Sequence, residues 1–131
     1  MIFADTGAWF ASVFPSDSNY SKAVLWLTEN TETLLTTDYI IDETLTLLRV
    51  RGEATRAISL AEAFFSGQVA TIYYLTEEDI QLTGKVFRDY SDKNWSFTDC
   101  SSKVIIEKLG IRQAFSFDKH FFQFGSVEVV P

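Results

Sequence analysis

Five apolar runs, each too short for a helix, alternate along this chain with longer segments at helical spacing, and that order of elements restricts the fold more than any other feature. The first run is Met1-Ile2-Phe3-Ala4, closed by Asp5-Thr6-Gly7. Leu34 and Leu35 between threonines make a weaker second, Val69 to Leu75 a third rich in β-branched and aromatic residues, Ala114 to Phe117 a fourth, and Val127 to Val130 the last. Between them, Ala8 to Phe14 reads as a short helix stopped by Pro15, and Tyr20, Ala23, Val24 and Leu27 recur at i, i+3, i+4 and i+7. Tyr39 to Val50 is helical through Ile40, Ile41, Thr44, Leu45, Leu47 and Leu48, with Gly52 past its end, and Ala57, Leu60, Ala61 and Phe64 carry another helix to Gly67. Thr76 with Asp79 has capping-box spacing and opens a helix bearing Ile80, Phe87 and Tyr90 on one side. Thr98 is the expected N-cap of a helix through Cys100, Val104, Ile105, Ile106 and Leu109, which Gly110 would stop in a left-handed cap. This alternation predicts an α/β fold, a central, mainly parallel sheet of about five short strands with helices on both faces. With 131 residues, 47% of them apolar, the chain can fill one well-buried domain, expected to span 1–131, and not two.

A formal net charge of -7 argues against duplex binding through a broad basic face, so any nucleic-acid role must be local. The lone Cys100 cannot form an internal disulfide and falls on an apolar helix face, as a buried thiol in a reducing cytosol would. Asp5 interrupts the first apolar run, and no stretch approaches the roughly eighteen apolar residues of a membrane span. A cytoplasmic protein without a membrane segment is expected.

In an open parallel sheet, sites form beyond the carboxyl ends of the strands. Asp5 and Asp118 occupy such ends, and Asp99, in the first turn of its helix, turns a third carboxylate toward the same crevice. Alone, Asp99 is explained by pairing with the helix dipole. Glu43 is the fourth candidate, three residues after Ile40 and four before Leu47, inside the apolar arc of its helix. A glutamate there snorkels to the surface, meets an arginine or binds a metal. No Lys or Arg is fixed by sequence beside the three aspartates, and the four acids together favour the metal.

Asp5-Thr6 after a first strand, Glu43 in a mid-chain helix, Trp95 before Ser96-Phe97-Thr98-Asp99, the turn Leu109-Gly110-Ile111 and then Phe117-Asp118-Lys119-His120-Phe121 follow one another in this order. Over nearly its whole length the chain resembles PIN-domain ribonucleases, most of all VapC-type toxins of toxin-antitoxin pairs. Gly7 stands where a small polar residue is more usual. The resemblance implies a metal-dependent endoribonuclease that hydrolyses RNA phosphodiester bonds, with Asp5, Glu43, Asp99 and Asp118 as the catalytic acids and the ligands of Mg²⁺ or Mn²⁺. It further implies an RNA substrate, a small antitoxin inserting Arg or Lys near Asp5 and Asp99, and a homodimer. The residue types suit that chemistry, because hard cations take oxygen ligands and can polarise both water and a phosphate. Thr6 and Thr98 are candidates for hydrogen bonds to ligands or phosphate from beside the acids, or for ordinary turn and cap roles.

Other conspicuous residues have plainer readings. His120 is the one histidine, and no Cys or Ser motif surrounds it, so no catalytic role is assigned to it. Arg49, Arg51 and Arg56 could touch phosphates, but dipole pairing explains the first two equally well. Trp9, Phe10, Trp26 and Trp95 read as core or interface, and Asp38, Asp42 and Asp92 as caps or solvated acids. Two rival functions are an inactive PIN-like module that only binds RNA or protein, against which the intact acidic quartet stands, and a phosphoacceptor receiver domain. The latter needs an acidic neighbour for Asp5, which has none.

Overall fold

The apolar runs pair into one sheet in the computed structural model, which describes residues Met1–Pro131. The strands are β1 (Ile2–Ala4), β2 (Leu34–Thr37), β3 (Thr71–Tyr73), β4 (Gln113–Phe115) and β5 (Glu128–Val130). The helices are α1 (Thr6–Val13), α2 (Tyr20–Glu29), α3 (Asp38–Val50), α4 (Ala54–Phe65), α5 (Glu77–Asp89), α6 (Phe97–Leu109) and α7 (His120–Gln123). All strand pairs are parallel, in the order β3-β2-β1-β4-β5. From β1 the chain steps outward to β3, crosses back to β4 and leaves by β5. Right-handed crossovers then put α1 to α4 on one face and α5 to α7 on the other, in keeping with the packing of α1 on α2 and α3, α3 on α4, and α5 on α6. The α/β class and its parallel sheet are as the alternation predicted. The strand order differs from the 2-1-3-4-5 order of receiver-type sheets, which removes that rival.

The direction of progression reverses between β1 and β4, and there a crevice opens at the strands' carboxyl ends. Each of the two strands beneath it buries a phenylalanine completely. Phe3 packs on Phe121 with ring centroids 6.2 Å apart, and Trp26 stacks on Phe115 at 4.3 Å. Truncating one such buried phenylalanine to alanine costs about 3 to 5 kcal/mol. Trp9 meets Phe64 edge-on at 5.1 Å, so Trp9 and Trp26 pack in the core as expected. No helix is long and apolar enough to cross a membrane.

Four local features depart from the sequence expectations. Helix α6 is capped by Ser96 and not Thr98: the Ser96 hydroxyl accepts from Asp99 N, and the Asp99 carboxylate accepts from Ser96 N, both at 3.0 Å. Strand β3 is shorter than the run from Val69 to Leu75, because past Tyr73 the chain leaves β2 and Leu75 N donates to Asp38 Oδ1 at 3.0 Å. A one-turn helix, α7, follows Asp118 where none was expected. Finally, Ile80 and Phe87 of α5 and its C-cap Tyr90 are exposed, whereas Asp79 and Thr83 are buried. The polar face wins because Asp79 is fully satisfied: its carboxylate accepts from Tyr73 Oη at 2.6 Å, Lys108 Nζ at 2.8 Å and Thr76 N at 3.0 Å.

Candidate active site

Strand β1 delivers Asp5 directly to the crevice, where it is the N-cap residue of α1 yet makes no side-chain cap bond. The β1–β4 register pairs Ala4 with Phe115, so the residues that follow face each other. Asp5 N donates to the Phe115 carbonyl at 3.1 Å, and the Ser116 hydroxyl donates to Asp5 Oδ2 at 3.1 Å. Burial first, then the Asp99 and Asp118 carboxylates, push the Asp5 pKa up to about 8, against hydrogen bonds from the Thr6 backbone and Ser116 that favour the anion. The neighbouring Thr6 hydroxyl is buried without any hydrogen-bond partner. That leaves a polar atom whose burial is uncompensated by the protein itself.

Ser116 also links Asp5 to Asp118, since its Oγ accepts from Asp118 N at 3.0 Å. Asp118 Oδ1 in turn accepts from His120 N at 2.9 Å, which starts α7 and turns the imidazole back over the acids. His120 Nδ1 lies 2.9 Å from Asp99 Oδ2 and 3.4 Å from Asp118 Oδ1. Asp99, Asp118 and His120 thus offer ligand atoms within 4.8 Å of one another. Asp99 is fixed by its capping box, which holds Oδ2 while Oδ1 accepts no bond. Burial and the Asp99 carboxylate together raise the Cys100 thiol, which is an inert core group.

The structure therefore gathers Asp5, Asp99 and Asp118 around Ser116 and His120, with no Lys or Arg ion-paired to them. Glu43 makes no hydrogen bond or ion pair with this group. It is half-buried on α3, one turn after Tyr39, whose ring meets Phe97 of α6 at 6.2 Å, so its face of α3 is turned toward the start of α6. The Thr98 carbonyl accepts from the Ser101 and Ser102 hydroxyls. Arg56 is paired with Glu53 at 2.6 Å, and Arg51 lies over the Phe10 ring at 5.7 Å. Ser116 is not among the residues expected from the sequence, and His120, assigned no role there, closes over the acids. The signal for Ser116 is a lone serine within an apolar run, and for His120 its place two residues after the aspartate that closes that run; β4 itself ends at Phe115, so Asp118 lies three residues past the strand and not at its end. Crowded oxygen donors, an aspartate driven toward neutrality and an orphaned hydroxyl fit a hard divalent cation.

Fold and crevice define an α/β protein with an acidic centre at the switch point of a parallel sheet. No family model matches the chain. The 23S rRNA-specific endonuclease VapC20 of Mycobacterium tuberculosis is 29% identical over 131 residues, covering 100% of this chain and 99% of that protein. A VapC ribonuclease of Archaeoglobus fulgidus is 30% identical over 122 residues, 89% of this chain and 76% of that protein. The crystal structure of M. tuberculosis VapC20, described as a sarcin-ricin loop cleaving toxin, matches with a TM-score of 0.92 at 27% identity over 100% of both chains. FitAcB of Neisseria gonorrhoeae shares the fold with a TM-score of 0.72 at 14% identity, over 100% of this chain and 97% of that one. The chain belongs to the VapC family of PIN-domain toxins.

Proposed function

We propose that this chain is the toxin of a toxin-antitoxin pair and a Mg²⁺- or Mn²⁺-dependent endoribonuclease, in which Asp5, Asp99 and Asp118 hold the cation and Glu43 completes the set from α3. The observation that carries this reading is the gathering of Asp5, Asp99 and Asp118 around Ser116 and His120 with no Lys or Arg paired to them; burial beside two like charges raises the Asp5 pKa, as in a site short of positive charge. A bound divalent cation supplies that charge, opposes the phosphate's negative oxygens and lowers the pKa of an attacking water. The protein's own residues do the positioning. Ser116 bridges Asp5 and Asp118, the capping box fixes Asp99, and His120 holds Asp99 and Asp118 together. Thr6 Oγ1 is free to orient a water or phosphate oxygen beside Asp5.

Because VapC20 is named for 23S rRNA, ribosomal RNA is the first substrate to offer, with cleavage sites mapped by sequencing RNA ends. Cleavage in Mg²⁺ or Mn²⁺ that stops in chelator is the expected result, and full activity in chelator would remove the metal from the mechanism. Charge complementarity favours an antitoxin that inserts Arg or Lys over Asp5 and Asp99, and the homodimer remains part of this reading.

A further inference from the structure

Next to the acids lies an open cleft of about 390 Å³ lined by Phe87, Ser91, Lys93, Asn94, Trp95 and Ser96. It adjoins the candidate active site, for Ser96 on its rim donates its backbone N–H to Asp99 Oδ2 at 3.0 Å. An aromatic row also leads from the cleft to α3. Phe87 meets Phe97 edge-on at 5.6 Å, and Phe97 meets Tyr39 at 6.2 Å, so the rings run from α5 across the start of α6 to the helix that carries Glu43. The base of the cleft is fixed. Trp95 is buried, stacks on Tyr90 at 4.9 Å and donates Nε1–H to Gln123 Oε1 at 2.7 Å. Phe87 itself is 51% exposed, an apolar ring face standing open to water beside a charged site.

We infer that this cleft is a nucleobase subsite, in which an unpaired base of the RNA stacks on Phe87 while its backbone lies over the acids. The inference rests on the ribonuclease reading above and adds the place where a base of the substrate is held. A chain of net charge -7 gains little from general attraction to phosphate, whereas stacking on an aromatic face is indifferent to the sign of the protein's charge. Paired bases keep their faces within the helix, so such a subsite takes a nucleotide from a loop or bulge. The rim has the polar groups to go with it: Lys93, its ammonium 3.5 Å from Asp92, is the cation of the lining, and the exposed Asn94 amide can both donate to and accept from a base edge.

The test pairs cleavage with binding. Phe87→Ala should raise KM for a loop-containing RNA about five- to a hundredfold with kcat within about twofold, and Phe87→Tyr should restore it. In chelator, a single-stranded oligoribonucleotide carrying 2-aminopurine should lose fluorescence on binding the parent and Phe87→Tyr, and not on binding Phe87→Ala. Phe65→Ala, at a still more exposed ring on α4, is the control and should leave both readings unchanged. Unaltered KM and quenching in Phe87→Ala would overturn the subsite. So would a variant that keeps its KM but sediments as a smaller species, since Phe87 would then face a protein partner. A parent that cleaves no RNA in Mg²⁺ or Mn²⁺ overturns instead the ribonuclease reading, while the chelator experiment still reports on stacking.

Discussion

His120 Nδ1 lies 2.9 Å from Asp99 Oδ2, the same oxygen that accepts the Ser96 backbone N–H. One oxygen of Asp99 is therefore held from two sides, which aims the other into the crevice. Holding an acidic ligand in this way usually contributes to affinity for the ion it binds. His120→Ala should raise the Mg²⁺ concentration for half-maximal cleavage by about 10- to 100-fold and lower stability by only ~0.5 to 1.5 kcal/mol. A Mg²⁺ titration that coincides with the parent's would leave the imidazole without a positioning role.

Asp5 makes the stability of the metal-free protein depend on pH in an unusual direction. Its folded pKa of about 8 lies above the unfolded value of 3.8, so between the two the native state binds the extra proton. The stabilisation this provides is complete below the unfolded value and is lost as pH rises toward 8. In chelator, Tm should therefore fall from pH 5 to pH 8.5, as up to ~4 kcal/mol of stability is lost. Asp5→Asn should flatten the slope, and so should saturating Mg²⁺, which replaces the proton as the source of positive charge. A parent whose Tm is level over that range in chelator would contradict the burial of an aspartate among like charges.

Asp79 behaves oppositely and concerns the scaffold alone. Lys108, Tyr73 and Thr76 hold its carboxyl well below the usual range despite burial, so its contribution is present above the unfolded value and lost as pH falls through the acid range. Asp79→Ala removes a cap and strands the Tyr73 and Thr76 donors, and should cost about 1 to 3 kcal/mol. RNA cleavage per folded molecule should be unchanged, as measured by activity normalised to circular dichroism. A selective loss of activity would show that α5 communicates with the acids.

The five strands, most of the helices and the convergence of Asp5 with Asp118 were readable because short apolar runs, periodicity and strand-end positions are local signals. The helix cap was readable too: Ser96 and Asp99 have the same spacing that identifies Thr76 and Asp79, and the competing Thr98 obscured it. What distance along the chain hides is the exposed face of α5. Its orientation depends on Lys108, 29 residues further on, reaching Asp79. The approach of His120 to Asp99 is hidden for the same reason, since it requires the β1–β4 register and the turn into α7. Glu43 was readable as an anomaly in an apolar arc, but its place relative to the three aspartates is a matter of how α3 meets α6, which no local signal carries.

Replacing Asp99 by Asn separates its two duties, because one is a helix cap and the other is electrostatic. The amide oxygen can still accept the Ser96 N–H, so the cap suffers mainly the loss of an anion near the helix dipole, a few tenths to about 1 kcal/mol. Against this stands the repulsion between Asp99 and Asp5, worth about 1 to 4 kcal/mol for a close pair of anions near a protein surface. That repulsion exists only while both are ionised, and Asp99 is itself a principal cause of the raised Asp5 pKa. At pH 6 in chelator Asp5 carries its proton, little repulsion is left to relieve, and Asp99→Asn should melt below the parent. At pH 9 Asp5 is ionised in the parent, and the order should reverse. At either pH the variant should gain less from Mg²⁺ than the parent and lose nearly all RNA cleavage. Melting curves at the two pH values, with and without Mg²⁺, decide the matter: a variant that melts lower throughout and still cleaves RNA would leave Asp99 as a helix cap alone.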